Sequence, residues 1–211
     1  MLNKCVGIVS YLPDEPKLRQ IRQKKLISLL DQVNKLFDLP VIIVAQNWKD
    51  FSVSCCQLYN YAEALGIVGA RNVLRKIFLS LGYDYMIMLD DDCTLIGTKE
   101  QADEYLAQID EHPGMFGMFY GTLLKLFAIS KEMFALLDFG KGKVENGDYF
   151  EDILFVETLK KKYPKKAFQF KHNGIKEKSD NAWDENSTWY HHQYNKHEMG
   201  DRTRLLLKEI K

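Results

Sequence analysis

The sequence lacks the features that mark several common classes of protein. Its 29 basic and 29 acidic residues cancel to zero net charge, so the overall charge does not favour nucleic acid or an anionic membrane as a partner. Its four cysteines contain no Cys-x-x-Cys pair, which excludes the usual zinc-knuckle pattern. It has no apolar signal segment, and no apolar run nears the roughly 20 residues of a membrane helix. We therefore expect a cytoplasmic protein without a transmembrane segment, peripheral to a membrane at most.

The sequence does contain enough apolar bulk for one folded domain. Hydrophobic residues make up 46% of the 211 residues, and 12 Phe, 11 Tyr and 3 Trp can fill a core. A chain of this length and composition needs no disulfide or metal to fold. No internal repeat or linker divides it.

Strand-like and helix-like segments alternate along the chain. Short apolar runs at residues 5–10, 40–45 and 85–89 predict buried strands. Apolar positions spaced by about 3.6 residues predict helices at 16–37 and 66–81 between them. Further on, the pattern predicts helices at 99–109, 130–138 and 149–162, and strands at 115–120, 123–129 and 167–171. The alternation predicts an α/β fold that begins as βαβ units.

Three consecutive acidic residues follow the third of these strands. Asp90, Asp91 and Asp92 come directly after the apolar run YMIML. Ligands of open α/β sheets bind beyond the carboxyl ends of the strands, and side chains two residues apart on an extended chain point the same way. Asp90 and Asp92 are therefore a candidate pair of metal-binding carboxylates. The alternative is structural, because aspartates also cap helices and form Asx-turns.

Two longer motifs contain or follow these acids. The run GARNVLRKIFLSLGYDYMIMLDDD spans residues 69–92, and LFAISKEMFALLDFG at 126–140 is followed, after a loop, by FED at 150–152. Together they resemble the family 2 glycosyltransferases and their GT-A relatives, in which an Ala-Arg-Asn helix leads into an apolar strand and a D-x-D motif. The resemblance covers roughly residues 6–171. It implies a GT-A (Rossmann-like) fold with a mostly parallel central sheet flanked by helices.

The resemblance also implies a chemistry, the transfer of one sugar from a nucleotide-sugar, taken as a UDP-sugar. A divalent cation, Mn²⁺ or Mg²⁺, neutralises the charge that develops on the departing diphosphate, and such cations prefer carboxylate oxygens. Asp92 is then the direct metal ligand, and Asp90 faces the ribose or a metal-bound water. Asp91 is counted in the same nucleotide site but points elsewhere, towards a basic group. The Gln-x-x-Arg-Trp motif of processive polysaccharide synthases is absent, which argues against polymerisation.

A second pair of acids is expected to serve the acceptor. In inverting relatives, a carboxylate at the start of the helix after the acceptor strand takes the proton from the attacking hydroxyl. Asp152 fits that role, and Glu151 would support it or hold the acceptor. Asp148 and Glu151 also have the form of a capping box, in which Glu151 serves the helix end.

Further residues are assigned to the nucleotide pocket by the resemblance. Arg71, beside Asn72, would touch the pyrophosphate or the base, although an exposed arginine on a helix is commonly just solvated. The ends of the first two strands supply the candidates for holding the nucleobase, which are Ser10, Tyr11, Leu12, Gln46 and Asn47.

The C-terminal part is polar, aromatic and weakly periodic. We expect the catalytic domain at 1–172 and a tail at 173–211 that closes on the site and ends in a short helix. His172 matches the histidine that completes the metal shell in several GT-A enzymes, with His191 and His192 as the alternative. The aromatic residues of the tail either cover the donor or pack the tail onto the domain; they are Trp183, Trp189, Tyr190 and Tyr194.

Two other functions remain open at this point. A nucleotidyltransferase would begin with a Gly-rich phosphate loop, which SYLPDEP at 10–16 does not supply. A non-catalytic sugar- or nucleotide-binding module would be expected to have lost one acidic motif, and both are present. The expected acceptor is a glycan or lipid-linked glycan, with a modified DNA base or a protein as alternatives. The lysines at 160–166 could dock a membrane, or could form an ordinary solvated helix end.

Overall fold

The computed structural model describes residues 1–119, 126–140, 151–171 and 174–179, with the backbone alone at 151–153 and 176–179. Its helices are α1 (Pro16–Leu36), α2 (Gly66–Ser80), α3 (Lys99–Asp110), α4 (Lys131–Leu136) and α5 (Glu151–Lys162), with a 3-10 turn at Pro164–Lys166. Its strands are β1 (Lys4–Tyr11), β2 (Val41–Gln46), β3 (Gln57–Tyr61), β4 (Tyr85–Asp90), β5 (Cys93–Ile96), β6 (Phe116–Met118), β7 (Phe127–Ser130), β8 (Ala167–Gln169) and β9 (Lys176–Ser179).

A seven-stranded sheet forms the middle of the part that the structure describes. Its strand order is β3-β2-β1-β4-β7-β6-β8, and within it only β7 runs antiparallel to its neighbours. The strands β1, β2 and β4 are buried along nearly their whole length. Parallel strands covered on both faces show this continuous burial. The predicted mostly parallel α/β sheet is confirmed.

Helices cover both faces of the sheet. On one face α1 and α3 enclose a core that includes Ile8 and Ile43, and on the other α2, α4 and α5 enclose a core that includes Val9 and Val44. Because successive strand residues point to opposite faces, each central strand contributes side chains to both cores. The same alternation decides to which face a polar residue at the end of a strand turns.

Helix α1 begins and ends close to its predicted bounds. Pro16 is its first residue, where its missing N–H costs nothing. The carboxylate of Glu15 accepts hydrogen bonds from the backbone N–H groups of Lys17 (3.1 Å) and Leu18 (2.6 Å) and so caps the helix. The helix fixes its position by burying Leu26, Leu29, Leu30, Val33 and Leu36.

Three strands were not predicted. β3 has a largely polar sequence, QLYNY, without a fully buried residue, so it lacks the apolar signal of an inner strand. β5 and β9 are four residues each and form a separate antiparallel pair, with Cys93 opposite Ser179 and Ile96 opposite Lys176. β9 lies inside the segment expected to be a tail, so the chain as far as Ser179 is attached to the domain through β5. Residues 180–211 lie outside the described residues.

Candidate functional site

The carboxyl ends of β1, β2 and β4 meet at one edge of the sheet. These strands are parallel neighbours, with Val9 opposite Asp90 and Tyr11 opposite Gln46. Side-chain alternation places Tyr11, Gln46 and Asp90 on the α2 face, in line with the buried residues that precede them, and places Asp91 on the α1 face. The predicted nucleotide residues therefore divide between the two faces.

On the α2 face, Asp90 forms an ion pair with Arg71. The distance from Arg71 Nη2 to Asp90 Oδ1 is 3.0 Å, and the side chain of Arg71 is only 5% exposed, whereas that of Asp90 is 45% exposed. The guanidinium also lies 5.8 Å from the centre of the Phe139 ring, a cation–π geometry. Arg71 is thus a buried part of the site and not a solvated surface residue.

On the α1 face, Asp91 is enclosed by hydrogen-bond donors. Its carboxylate accepts from Ser10 Oγ (2.7 Å), from the backbone N–H of Tyr11 (3.3 Å) and from Arg22 Nη1 (2.6 Å). Burial raises the pKa of Asp91 to about 6, and the Arg22 guanidinium and the Ser10 hydroxyl partly oppose that rise. At neutral pH the group is therefore an ionised, buried partner of Arg22.

Ser10 and Asp91 were both assigned to the nucleotide site. Both are buried, at 2% and 6% exposed. The hydroxyl of Ser10 donates to Asp91, which also accepts from Arg22. The interpretation that Asp91 points away from Asp90 and pairs with a basic group agrees with this geometry.

Asp92 lies in the turn after β4. Its side chain is 22% exposed, and its Oδ2 is 3.8 Å from Arg22 Nη2. Burial raises its pKa, while Arg22 and Lys25 lower it and Asp90 raises it further. Asp92 is therefore a partly open carboxylate within the field of two basic residues of α1.

Asp90 and Asp92 are the two carboxylates at this edge that could hold a cation together with phosphate. The described residues contain no group of three His, Cys, Asp or Glu side chains that could hold a metal ion. Mg²⁺-type sites in nucleotide-binding proteins commonly use one or two carboxylates, with phosphate oxygens and water filling the other positions. Asp90 and Asp92, 45% and 22% exposed, are the carboxylates that could take this part. His172, the predicted third ligand, lies outside the described residues, as do His191 and His192.

The remaining residues at the strand ends mostly shape the loops. Leu12 is fully buried. Asn47 adopts a left-handed backbone conformation (φ 59°), and its Nδ2 donates to the carbonyl of Leu12 at 2.8 Å. Gln46 accepts at Oε1 from the backbone N–H of Leu65 at 2.7 Å, which ties β2 to the start of α2. Tyr11, by contrast, is 42% exposed and is the open side chain of this group.

Sequence analysis missed the basic residues of α1. Besides Arg22, Arg19 donates to the carbonyl of Pro13 at 3.2 Å and to the carbonyl of Asn47 at 2.7 Å, and so fixes the loops after β1 and β2. Arg19, Arg22 and Lys25 follow one another at intervals of three residues, which places them along one side of a helix. This regular spacing of basic residues on a helix that precedes the acidic strand end could have indicated that they lie near the acids.

The second acidic pair begins α5. Glu151 and Asp152 are its first two residues, as predicted. One turn later, Phe155 stacks on Phe139 with ring centres 4.2 Å apart, and Phe139 lies beside Arg71. The start of α5 is thus joined to Asp90 by a continuous series of contacts. Asp148, the predicted capping partner, lies outside the described residues.

Asn72 anchors the chain that leads towards α5. Its Oδ1 accepts from the backbone N–H of Phe139 and its Nδ2 donates to the carbonyl of Gly140, both at 2.9 Å. Both ends of the amide are therefore used inside the protein. Asn72 therefore fixes the chain at Phe139 and Gly140 to the start of α2.

The sheet order and its single antiparallel strand give a GT-A-like fold, which confirms the resemblance at the level of the fold. Neither a protein-family model nor a curated protein matches the chain. Within the described residues, no helix has the length and apolar character needed to cross a membrane.

Solved structures do match. TarS 1-349 of S. aureus is 15% identical, with a TM-score of 0.56 over 82% of this chain and 59% of that one. Its complex with UDP gives a TM-score of 0.57 at the same identity and coverage, and its complex with UDP-GlcNAc gives 0.52 at 16% identity, over 82% and 57% of the two chains. A protein of Desulfovibrio desulfuricans G20 assigned as a nucleotide-diphospho-sugar transferase is 11% identical, with a TM-score of 0.50 over 100% of this chain and 99% of that one. This chain spans about three fifths of TarS 1-349, and at these identities the likeness is one of fold.

Proposed function

We propose that this protein is a metal-dependent glycosyltransferase that moves one sugar from a nucleotide-sugar to an acceptor hydroxyl. The observation that supports this most is the partly exposed pair Asp90 and Asp92 at the end of the central strand β4, with Arg71 buried behind Asp90. A cation and fixed positive charges stabilise the negative charge that develops on a departing diphosphate. The two carboxylates could hold the cation, and Arg71 could supply the fixed charge.

The donor is taken to lie over the ends of β1, β2 and β4. Tyr11 is the exposed aromatic ring available for the nucleobase, and aromatic faces stack well on bases. Arg71 holds Asp90 in place towards the ribose and adds positive charge for the diphosphate. A divalent cation bound by Asp92, with Asp90, would supply neutralisation of the departing diphosphate. TarS binds UDP and UDP-GlcNAc, which makes these the first ligands to test.

The transfer itself needs a base. As the acceptor oxygen attacks the anomeric carbon, its proton passes to a carboxylate and the bond to the diphosphate breaks. The configuration at the anomeric carbon is inverted. Asp152 is the proposed base, with Glu151 orienting the acceptor. Support comes from the contact series that joins the first turns of α5 to Asp90 through Phe155, Phe139 and Arg71.

Titration calorimetry with UDP and UDP-GlcNAc, with and without Mn²⁺, tests the binding half of the proposal. We expect Asp92→Asn to remove the gain in affinity that Mn²⁺ gives, and Asp103→Asn, which changes an exposed carboxylate on α3 (56% exposed), to leave it unchanged. No heat with either nucleotide in either condition would refute the nucleotide site.

Release of UDP from UDP-GlcNAc, with water as acceptor, tests the transfer half. Asp152→Asn should keep the affinity for UDP-GlcNAc and slow release at least about 100-fold, the usual scale of a lost general base. Release at the wild-type rate would remove Asp152 as the base. Nucleotide binding without any release by the wild type would favour a non-catalytic module.

A further inference from the structure

We propose that Phe139 positions the Arg71 guanidinium for the nucleotide and connects it to helix α5, which begins with the proposed base. The inference rests on the proposed function, in which Arg71 holds Asp90 and adds positive charge beside the diphosphate. Phe139 is apolar and buried, at 4% exposed. It acts through Arg71 and is therefore a positioning residue.

The first step is the contact between the ring and the guanidinium. Arg71 Nη2 lies 3.0 Å from Asp90 Oδ1, but the Asp90 side chain is 45% exposed, and water weakens an ion pair that is open to it. Arg71 Cζ also lies 5.8 Å from the centre of the Phe139 ring. A cation–π contact is strongest where water is excluded, and both Arg71 and Phe139 are buried. The ring therefore adds a restraint on Arg71 that does not depend on Asp90.

The second step is that the backbone of Phe139 is tied to the helix that carries Arg71. Asn72, the next residue of α2, accepts a hydrogen bond from the backbone N–H of Phe139 and donates one to the carbonyl of Gly140, both at 2.9 Å. Gly140 has a φ of 81°, a conformation that glycine adopts without strain. The ring and the guanidinium therefore extend from neighbouring points of the backbone that are fixed to each other.

The third step is that the ring is held by two other helices. Phe155 of α5 stacks on it, with ring centres 4.2 Å apart and an interplanar angle of 17°. Phe134 of α4 meets it edge to face, at 5.9 Å and 80°. Aromatic pairs in these geometries stabilise each other beyond their buried area. The position of Arg71 thus depends on where α5 lies, and the donor and acceptor sides of the proposed site share one series of aromatic contacts.

A restrained guanidinium favours nucleotide binding, because a charged group that is already in place does not have to be ordered when the ligand arrives. Without the ring, the guanidinium can take several orientations, and the diphosphate must select one of them, so the affinity falls. A purely structural role for Phe139 predicts a different pattern. Loss of any buried ring in the same core would then lower the stability of the fold without a specific effect on the nucleotide.

The first measurement is the affinity for UDP with Mn²⁺ present, by titration calorimetry. Phe139→Leu removes the aromatic face and should weaken UDP binding about five- to tenfold, the scale of one desolvated cation–π contact. Phe139→Tyr keeps the face and should bind UDP like the wild type. Phe78→Leu is the matched control, because Phe78 is fully buried in the same core and also lies beside Phe134, at 5.8 Å; it should leave the affinity unchanged. Phe139→Met replaces Phe139→Leu if the latter does not fold.

A second set of variants tests whether the effect passes through Arg71. In the background of Arg71→Met, Phe139→Leu should no longer change the affinity for UDP, because the group that the ring restrains is gone. A ring that only supports the fold would weaken binding by the same factor in both backgrounds.

Nuclear magnetic resonance of the arginine Nε–H groups follows the restraint without any ligand. The Arg71 signal is identified by its loss in Arg71→Met. We expect its exchange with water to be at least about tenfold faster in Phe139→Leu than in the wild type. The Nε–H of Arg75, which donates to the carbonyl of Phe134 at 2.6 Å, should keep its wild-type rate.

Separate outcomes overturn the two proposals. If the wild type binds UDP but Phe139→Leu binds it equally well, or loses the same factor as Phe78→Leu, the inference is wrong and the proposed function stands. Unchanged exchange of the Arg71 Nε–H would also overturn the inference. Failure of the wild type to bind UDP would refute the nucleotide site, and with it the role of Phe139 in binding.

Discussion

The buried ion pair between Arg22 and Asp91 gives the sharpest test of how this site is held together. Their side chains are 17% and 9% exposed, and the two charged atoms are 2.6 Å apart. Replacing Arg22 by Met leaves a buried carboxylate without its counter-ion. Breaking such a pair costs about 3–5 kcal/mol, so we expect the free energy of unfolding of Arg22→Met to fall by about that amount at pH 7.5.

An exposed pair in the same protein provides the control. Lys99 and Asp103 are 2.5 Å apart on α3, but their side chains are 46% and 56% exposed. Because water screens such a pair, Lys99→Met should cost only about 0.3–0.5 kcal/mol. Equilibrium urea denaturation of both variants and of the wild type measures the two differences under the same conditions.

Measuring the cost of Arg22→Met at low pH separates the loss of its charge from the loss of its packing. Burial puts the pKa of Asp91 at about 6 in the folded protein, so at pH 5 this group is largely protonated and needs no counter-ion. The cost of Arg22→Met should therefore shrink at pH 5. A cost below about 1 kcal/mol at pH 7.5, or the same cost at both pH values, would show that Asp91 does not depend on Arg22 as a buried charge.

Two further changes test the packing and the titration behind the site. Asp91→Asn removes a carboxyl whose pKa is about 6 in the folded protein against the ordinary 3.8. As pH rises from 3.5 to 7, the free energy of unfolding of the wild type should therefore fall by about 3 kcal/mol relative to that of the variant. Urea denaturation across that range would show no such relative change if burial did not raise the pKa. A Cβ added at Gly117 would lie 2.3 Å from Phe168 Cζ, whereas one at Gly82 would meet no atom within 4 Å, so Gly117→Ala should cost about 1–3 kcal/mol and Gly82→Ala less than about 0.5 kcal/mol. Equal midpoints of thermal unfolding for the two glycine variants would contradict that packing.

The sequence was sufficient for the central sheet because its inner strands are marked by their own residues. YMIML of β4 is apolar without interruption, and the three acids that end it stand out for that reason. Arg71 was proposed as a site residue because it lies within the same motif. β3 and β9 were missed because neither short strand carries a long apolar run, and their pairing comes from distant parts of the chain.

That Ser10 and Arg22 are the hydrogen-bond partners of Asp91 could not be predicted for a related reason. They lie on β1, on α1 and at the end of β4, and Arg22 is 69 residues from Asp91 along the chain. Which of them meet depends on the pairing of β1 with β4 and on the face that α1 covers. Local sequence patterns predict which residues share a face of a strand or helix. Which polar groups contact each other depends on how the strands and helices pack together.

The alternation of side chains also explains why three acids in a row do not form one site. If Asp90 continues the α2 face of β4, Asp91 must turn to the α1 face, where it enters the core. A carboxylate there needs a partner, since an isolated buried charge is costly, and Arg22 is that partner. Because Arg22 also reaches towards Asp92, the residue that stabilises the fold sets the electric field at the candidate cation site. We therefore expect the stability of the fold and the cation affinity of the candidate site to depend on the same guanidinium group.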